Sequence, residues 1–440
     1  MTVLPPRRPW RRPAPIRCVP VTQSLPETSD RSYRALLRVP RLGRTLVAMQ
    51  IARVAQSMVG VALVLFTLLE YGSPILAGAV TFVSIVPGLV VSPIAGALLD
   101  RHGRVRLITL DYIVTLGTLV LLGVLALAKL LPPPLLLLIA AVSSLTSILS
   151  HTGLRSLFPL IVPHHLWERL NAIDSNGYVV ATILGPPIAA SLVALLGGAT
   201  ALIVVGASFG FAAVAMIGVP DPPSAIASTG NLLLDAWHGL VYTWRNRTLR
   251  GLGFAISTLN IAGGIGTIVV PLIVLQRLGL GEVFVGGVFA LSGITGMASA
   301  LLFGRIDSRG REWRMLVWPM VAMAPGVALL LAAAGAGPLG LGIAAGLALT
   351  GASLAITGLL NGPLDIALFT VRQRRTEQAW MGRAFAVSMA FNFAGFPLGA
   401  ALGGIVAEVS IEAAIVIGIA ACLLAALLAA TMIPKGEPLS

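Results

Sequence analysis

Charge is what this sequence has least of. Of 440 residues, 11% are Asp, Glu, Lys or Arg, against about 25% in an average soluble domain. So little charge cannot clothe a water-soluble surface on a chain this long, which excludes an ordinary soluble protein. Cysteine is nearly missing as well. Cys18 and Cys422 lie at opposite ends, so no disulfide and no zinc-ribbon spacing is expected. There is no Gly-rich phosphate loop and no H-E-x-x-H. His164-His165 reads as a solvated loop pair rather than a ligand pair. These absences leave no catalytic residue, no metal and no cofactor to assign, and the chain reads as a non-enzyme.

What is there is apolar. Hydrophobic residues make up 57% of the chain, and the mean hydropathy is +0.93. About twelve apolar runs, each near the ~20 residues that cross a bilayer as a helix, lie between residues 45 and 433. The second is read at 74–99 and the tenth at 339–361. This predicts an all-α membrane protein. Alternate connections hold the Arg: "DRHGRVR", "WER", "WRNRTLR", "GRIDSRGREWR" and "VRQRR". The other connections hold only Lys129 and Arg277 of 30 basic residues. That asymmetry places the Arg-rich loops and both termini in the cytoplasm, with the protein in the inner membrane. The net charge of +13 is then a record of topology rather than a nucleic-acid footprint.

The chain repeats itself. "DRHGR" at Asp100–Arg104 returns as "DSRGR" at Asp307–Arg311, and "ILGPPIAASLVALLGG" has a looser echo in "FAGFPLGAALGGIVAE". Two motifs at nearly one offset imply two homologous six-span halves. Residues 1–43, with "PPRRPWRRPAPIRCVP" and no apolar core of a signal peptide, are expected to be a disordered basic cytoplasmic arm. The halves are expected at 44–219 and 248–433, joined by a cytoplasmic linker at 220–247, with a tail at 434–440. The linker's "NLLLDAWHGLVYTWRNR" sets Leu233, Trp237, Leu240, Val241 and Trp244 on one face, as in a helix lying along the inner interface.

"GALLDRHGRVRL" closely resembles the loop signature of the major facilitator superfamily. Gly96, Asp100, Arg101, Gly103 and Arg104 match, and Asp307, Gly310 and Arg311 match in the second copy. Phe303 stands where the second copy's leading Gly is expected. An Asp at a helix end can accept from a neighbouring helix N-terminus, where partial positive charge collects. Such a cluster can latch the cytoplasmic side. The stretch from Arg155 to Leu192 is similar to the superfamily's drug and siderophore efflux branch, that of macrolide and enterobactin exporters. Arg155, Pro159, Val162, Pro163, Leu166, Asn171, Ala172, Gly185 and Pro186 carry the likeness. Gly382, Arg383, Pro397, Gly399 and Gly403 carry it in the second half. Gly185, Pro186 and Pro187 remove donors and bulk in mid-span, as do Pro397 and Gly399, which predicts kinks and close helix packing.

Ionisable groups inside spans are expensive and mark function. Arg53, Asp111, His151, Asp174, Asp365 and Arg383 are such groups. Asp111 and then Asp365 are the proton-coupling candidates, with Arg53 or Arg104 as the base that tunes Asp111. Cavity candidates are Arg53, Gln56, His151, Asn176, Asn260, Asn361 and Asn392. The resemblance implies a secondary transporter exporting an amphiphilic small molecule, a drug or siderophore, by proton antiport. Its partners are then substrate, protons and membrane lipid, with no nucleic acid and a monomeric state. A lysophospholipid transporter is the alternative, and a non-transporting membrane sensor or scaffold is the reading of a different class.

Overall fold

The computed structural model describes residues 32–221, 232–304, 310–335, 341–377 and 381–435. Within them lie fifteen α-helices and no strand. A short α1 (Tyr33–Leu37) precedes α2 (Leu42–Tyr71), α3 (Pro74–Val83), α4 (Val86–His102), α5 (Arg104–Leu127), α6 (Pro133–Ile161), α7 (Trp167–Leu196) and α8 (Gly198–Met216). Then come α9 (Leu232–Arg245), α10 (Arg247–Leu272), α11 (Glu282–Phe303), α12 (Glu312–Ala334), α13 (Gly342–Arg374), α14 (Met381–Ala407) and α15 (Ile411–Met432). Twelve membrane-length apolar segments result, α3 and α4 together forming the second.

Several expectations change. The second span breaks at Ser84–Ile85, where Ile85 leaves helical geometry and Pro87 opens α4. Ser144 Oγ accepts from the freed Gly88 N–H at 3.0 Å. The tenth span continues past 361 to Arg374, so "VRQR" is helix rather than loop, and Arg372 within it is fully buried. Helix α7 begins at Trp167, ahead of the fifth apolar run read at 173–197, and runs unbroken through Pro186 and Pro187. Residues 32–43, placed by sequence in the disordered arm, are ordered, with Leu36 and Leu42 wholly buried. The preceding basic arm and most of "VPDPPSAIASTG" lie outside the described residues.

The halves meet along two seams, α3 with α14 and α7 with α11. Both seams are built from residues small enough for backbones to touch, since lipid offers helices no hydrophobic reason to associate. Gly78 lies against Ala400 and Gly404; Gly286 lies against Pro186, Pro187 and Ala190. These contacts sit toward the Arg-poor end. Dry clusters back them, with Val64, Leu68 and Ala77 joining Ile265, Ile268 and Ile411, and Leu65, Ala190 and Val193 joining Val274 and Val285. At the same end Lys129 pairs with Glu70 at 2.8 Å and Arg277 with Glu412 at 2.9 Å. Toward the Arg-rich end α4 meets α14 and α9. Helix α9 turns Trp237, Leu240 and Trp244 outward and buries Thr243, and the Tyr242 hydroxyl accepts from the Glu377 N–H at 3.1 Å.

Inside the second half, Gly395, Gly399 and Gly403 form a stripe at four-residue spacing on α14. They lie directly on the backbone of Ser257, Ile261 and Ile265 of α10. Gly399→Ala should therefore force the helices apart and cost about 1–3 kcal/mol, read as a lower unfolding midpoint in detergent. Gly266→Ala, whose added carbon meets open space, should leave the midpoint unchanged. Equal midpoints would contradict this packing.

Candidate functional site

Two cavities lie near the middle of the bundle, one in each half. Chamber 1, about 400 Å³, is lined by α2, the α3–α4 break, α5 and α6, and contains Gln56, Thr118, Ser147 and His151. Chamber 2, about 450 Å³, is lined by α10–α13 and α15, and contains Asn260, Met323, Val327 and Asn361. Gly60 of α2, Thr267 of α10 and Phe396 of α14 line both. Phe396 stacks on Phe393, with ring centres 5.7 Å apart and planes 13° apart. Each volume falls in the range of small-molecule sites.

Below chamber 1, toward the Arg-rich end, the first half gathers its charges. Arg53, three turns into α2, reaches Asp174 of α7 at 2.5 Å, and the same guanidinium donates to the Asp174 carbonyl at 2.7 Å. Arg53 also stacks on Tyr178 at 3.9 Å, and Arg155 of α6 approaches the same ring at 5.2 Å. The carboxylate on Arg53 is thus Asp174, one turn before Tyr178, and not Asp111. Asp111 is 2% exposed. Thr115 lies 3.5 Å from its carboxyl, and Ser150 and Thr146 of α6 face it. Arg104, the other base expected to tune it, donates from Nε to Ser156 Oγ at 3.1 Å.

The second half turns amides toward its chamber. Asn260 Nδ2 donates to the Asn392 carbonyl at 2.8 Å. Asn392 is buried outside both chambers, and its carboxamide, oriented to satisfy both neighbours, accepts from Arg372 Nη2 and donates to the Ser388 carbonyl at 3.0 Å. Arg372 also reaches the Met389 sulfur at 2.6 Å. Asp365 of α13 is exposed and lines neither chamber. Asn176 is exposed on α7 and lines neither chamber. Of the cavity candidates, Gln56, His151, Asn260 and Asn361 do line them.

At the first copy of the repeated loop the linker contributes an acid. Gly103 joins α4 to α5 at φ +91°, a conformation that favours glycine. The N-terminus of α5 is capped by Asp221, whose carboxylate accepts from the Arg104 N–H at 3.0 Å and the Val105 N–H at 3.1 Å. A side chain at Gly103 would strike that carboxylate. The acid on this helix start is thus supplied by the linker, and no spacing within the loop announces it. Gly96 and Asp100 lie in α4 and Arg383 in α14, but the side chains of Asp100 and Arg383 lie outside the described part. Arg101 is exposed. Asp307 lies outside the described residues; Gly310 takes φ +72°, and Arg311 caps α12. Gly185 packs on Ser57 of its own half, and Pro397 lies within an unbroken α14.

The Arg53–Asp174 pair is nearly desolvated, with side chains 7% and 15% exposed. Asp174→Asn should strand the guanidinium and cost on the order of 3 kcal/mol, read as a lower unfolding midpoint. Arg53→Gln combined with Asp174→Asn should recover part of that loss. No recovery in the double variant would show that the two do not act as a pair.

Comparison with known proteins gives a consistent picture. A family model described as the Major Facilitator Superfamily matches residues 45–376. A protein of Sinorhizobium fredii (strain NBRC 101917 / NGR234), described as the uncharacterized MFS-type transporter y4rN, is 36% identical over 373 residues, 84% of this chain and 89% of that one. A mutant nucleoside transporter NupG superposes with a TM-score of 0.69 at 14% identity, over 89% of this chain and 98% of that one. The inward-open xylose transporter XylE from E. coli gives 0.68 at 13% identity, over 90% and 98%. A bacterial homologue of the iron transporter ferroportin, inward-facing, gives 0.66 at 15% identity, over 89% and 99%. At these identities the structural likenesses show a shared fold.

Proposed function

Because the chain belongs to the major facilitator superfamily of secondary transporters, we propose that it exports an amphiphilic small molecule, a drug or a siderophore, from the cytoplasm by alternating access coupled to proton antiport. The observation that carries this reading is the pair of mid-bundle chambers beside a buried carboxyl. Each chamber offers apolar and polar contacts together, Leu119 and Leu122 beside Gln56, Thr118 and Ser147 in chamber 1, and Met323, Val327 and Leu330 beside Asn260 and Asn361 in chamber 2. An amphiphile needs both.

Orientation follows from the Arg asymmetry. With the Arg-rich loops on the cytoplasmic face, the two glycine-lined seams lie on the outer side and close it. Transport then requires the seams to part. Gly286 touches Pro187 and Ala190, whereas its neighbour Gly287 faces open space. Gly286→Ala should keep the outer side from sealing and reduce transport at least tenfold at equal membrane abundance, while Gly287→Ala should transport normally. Equal rates for the two would remove the seam from the cycle.

Asp111 is the proposed proton carrier. Its carboxyl is buried, is surrounded by hydroxyls, and sits one turn before chamber-lining Thr115. A carboxyl that is protonated on one side of the membrane and released on the other drives the cycle only if it can ionise. Asp111→Asn should abolish gradient-driven uptake into energised inverted vesicles, the readout of efflux from cells, while retaining substrate binding. Efflux that persists and still collapses with the proton gradient would move the assignment to Asp365. Drug accumulation equal in cells with and without the gene would overturn export altogether.

A further inference from the structure

A third cavity lies on the outside of the bundle, where the start of α5 meets the end of α8. It encloses about 560 Å³ and shares no lining residue with either chamber. Its wall changes character along α5. His102 and Arg106 stand at the Arg-rich end, and Leu110 and Ile113 lie one to two turns deeper. At about 1.5 Å rise per residue, Arg106 and Ile113 are about 10 Å apart along the axis. Thr109, between them, returns its hydroxyl proton to the Val105 carbonyl at 2.8 Å. Leu110, Ile113 and Ile217 are 45%, 52% and 62% exposed. On spans of membrane length, side chains so exposed meet acyl chains rather than water.

A second guanidinium is bent over the same rim. Arg41, which precedes α2, holds φ +63°, one of two non-glycine residues in the left-handed region among those described. That conformation is strained for a residue with a side chain. Gly218 of the cavity wall, itself at φ +73°, lies so close beneath that a Cβ there would stand 2.6 Å from Arg41 Nη1. Both guanidiniums are on exposed residues. Among the described residues, neither Arg41 nor Arg106 forms an ion pair. Asp221, the acid at this end of α5, is engaged by the N–H groups of Arg104 and Val105. The rim is therefore cationic and its charge is uncommitted, while the groove below it is apolar.

We propose that this groove is a binding site for an anionic phospholipid, with Arg41 and Arg106 on the phosphate head and an acyl chain laid along Leu110, Ile113 and Ile217. Basic pockets between membrane helices suit such heads, and each nearby cation adds to the attraction. The chain's own N-terminal segment, with Arg7, Arg8, Arg11 and Arg12, carries the wrong charge for this rim. A lipid seated here ties the start of α2 to the start of α5, the helix that carries Asp111.

The test uses the full-length protein in phosphatidylcholine nanodiscs with a trace of phosphatidylglycerol bearing a diazirine on one acyl chain. Photolysis and peptide mapping should place the adducts on residues 105–113 and at the end of α8. Unlabelled phosphatidylglycerol should displace the probe about tenfold more effectively than phosphatidylethanolamine, and inorganic phosphate, which has no chain to fill the groove, should not displace it. Arg41→Gln combined with Arg106→Gln should lower the adduct yield by more than about tenfold. Arg41→Lys combined with Arg106→Lys, which keeps both charges, should retain most of it. Arg247→Gln, at the same end of the other half, should change nothing. Ile113→Trp should fill the groove and remove the adducts with both cations in place. Equal displacement by phosphatidylethanolamine, displacement by inorganic phosphate, adducts mapping elsewhere, or adducts that persist in the Gln pair or in Ile113→Trp would each overturn the proposal.

Discussion

Close backbone contact through small residues is the constraint on which the rest of this structure depends. In a bilayer, helix association gains little from hiding apolar surface, because lipid tails are equally apolar. Contact must come from packing at short range, which small residues permit. The protein uses this device twice. Within the second half, the Gly395–Gly399–Gly403 stripe fixes α14 on α10. Between the halves, Gly78 with Gly404 and Gly286 with Pro187 close the Arg-poor end. The first is a permanent joint. The second is narrow, dry and flanked by two exposed ion pairs, Lys129–Glu70 and Arg277–Glu412. Exposed pairs of this kind are worth about 0–1 kcal/mol, so the seam's hold rests on fit rather than charge, and a seam held by fit can open as a unit.

The two halves share a plan but divide the chemistry. The first half collects Arg53, Arg155, Asp174 and Asp111 around chamber 1, and every one of these lies on a helix that lines the chamber or packs beside it. The second half presents Asn260 and Asn361 to its chamber and keeps Arg372 and Asn392 packed together away from it. Charge beside one chamber and amides beside the other let a single substrate meet two environments. The Asp221 cap ties the linker to the start of α5, so the segment joining the halves is anchored to the helix that carries Asp111.

Much of this was legible in the sequence. Twelve apolar runs, the alternation of Arg between loops and the internal repeat determined a two-half helical membrane protein, because hydropathy and length answer to the bilayer and not to neighbouring helices. The membership in the superfamily was legible in "DRHGR" and its copy. So were Asp111, Gln56, His151, Asn260 and Asn361 as polar residues at membrane depth, since such residues are rare enough there to stand out. What the tertiary structure alone decided is which of these groups meet. Arg53 found Asp174 across 121 positions, Asp221 reached α5 across 117, and Arg372 proved to be buried helix where a charge run read as loop. The placing of Phe396 between two chambers belongs to the same class. These depend on helix rotation and backbone geometry, which small residues set through contacts between spans far apart in the chain, and no local pattern records them.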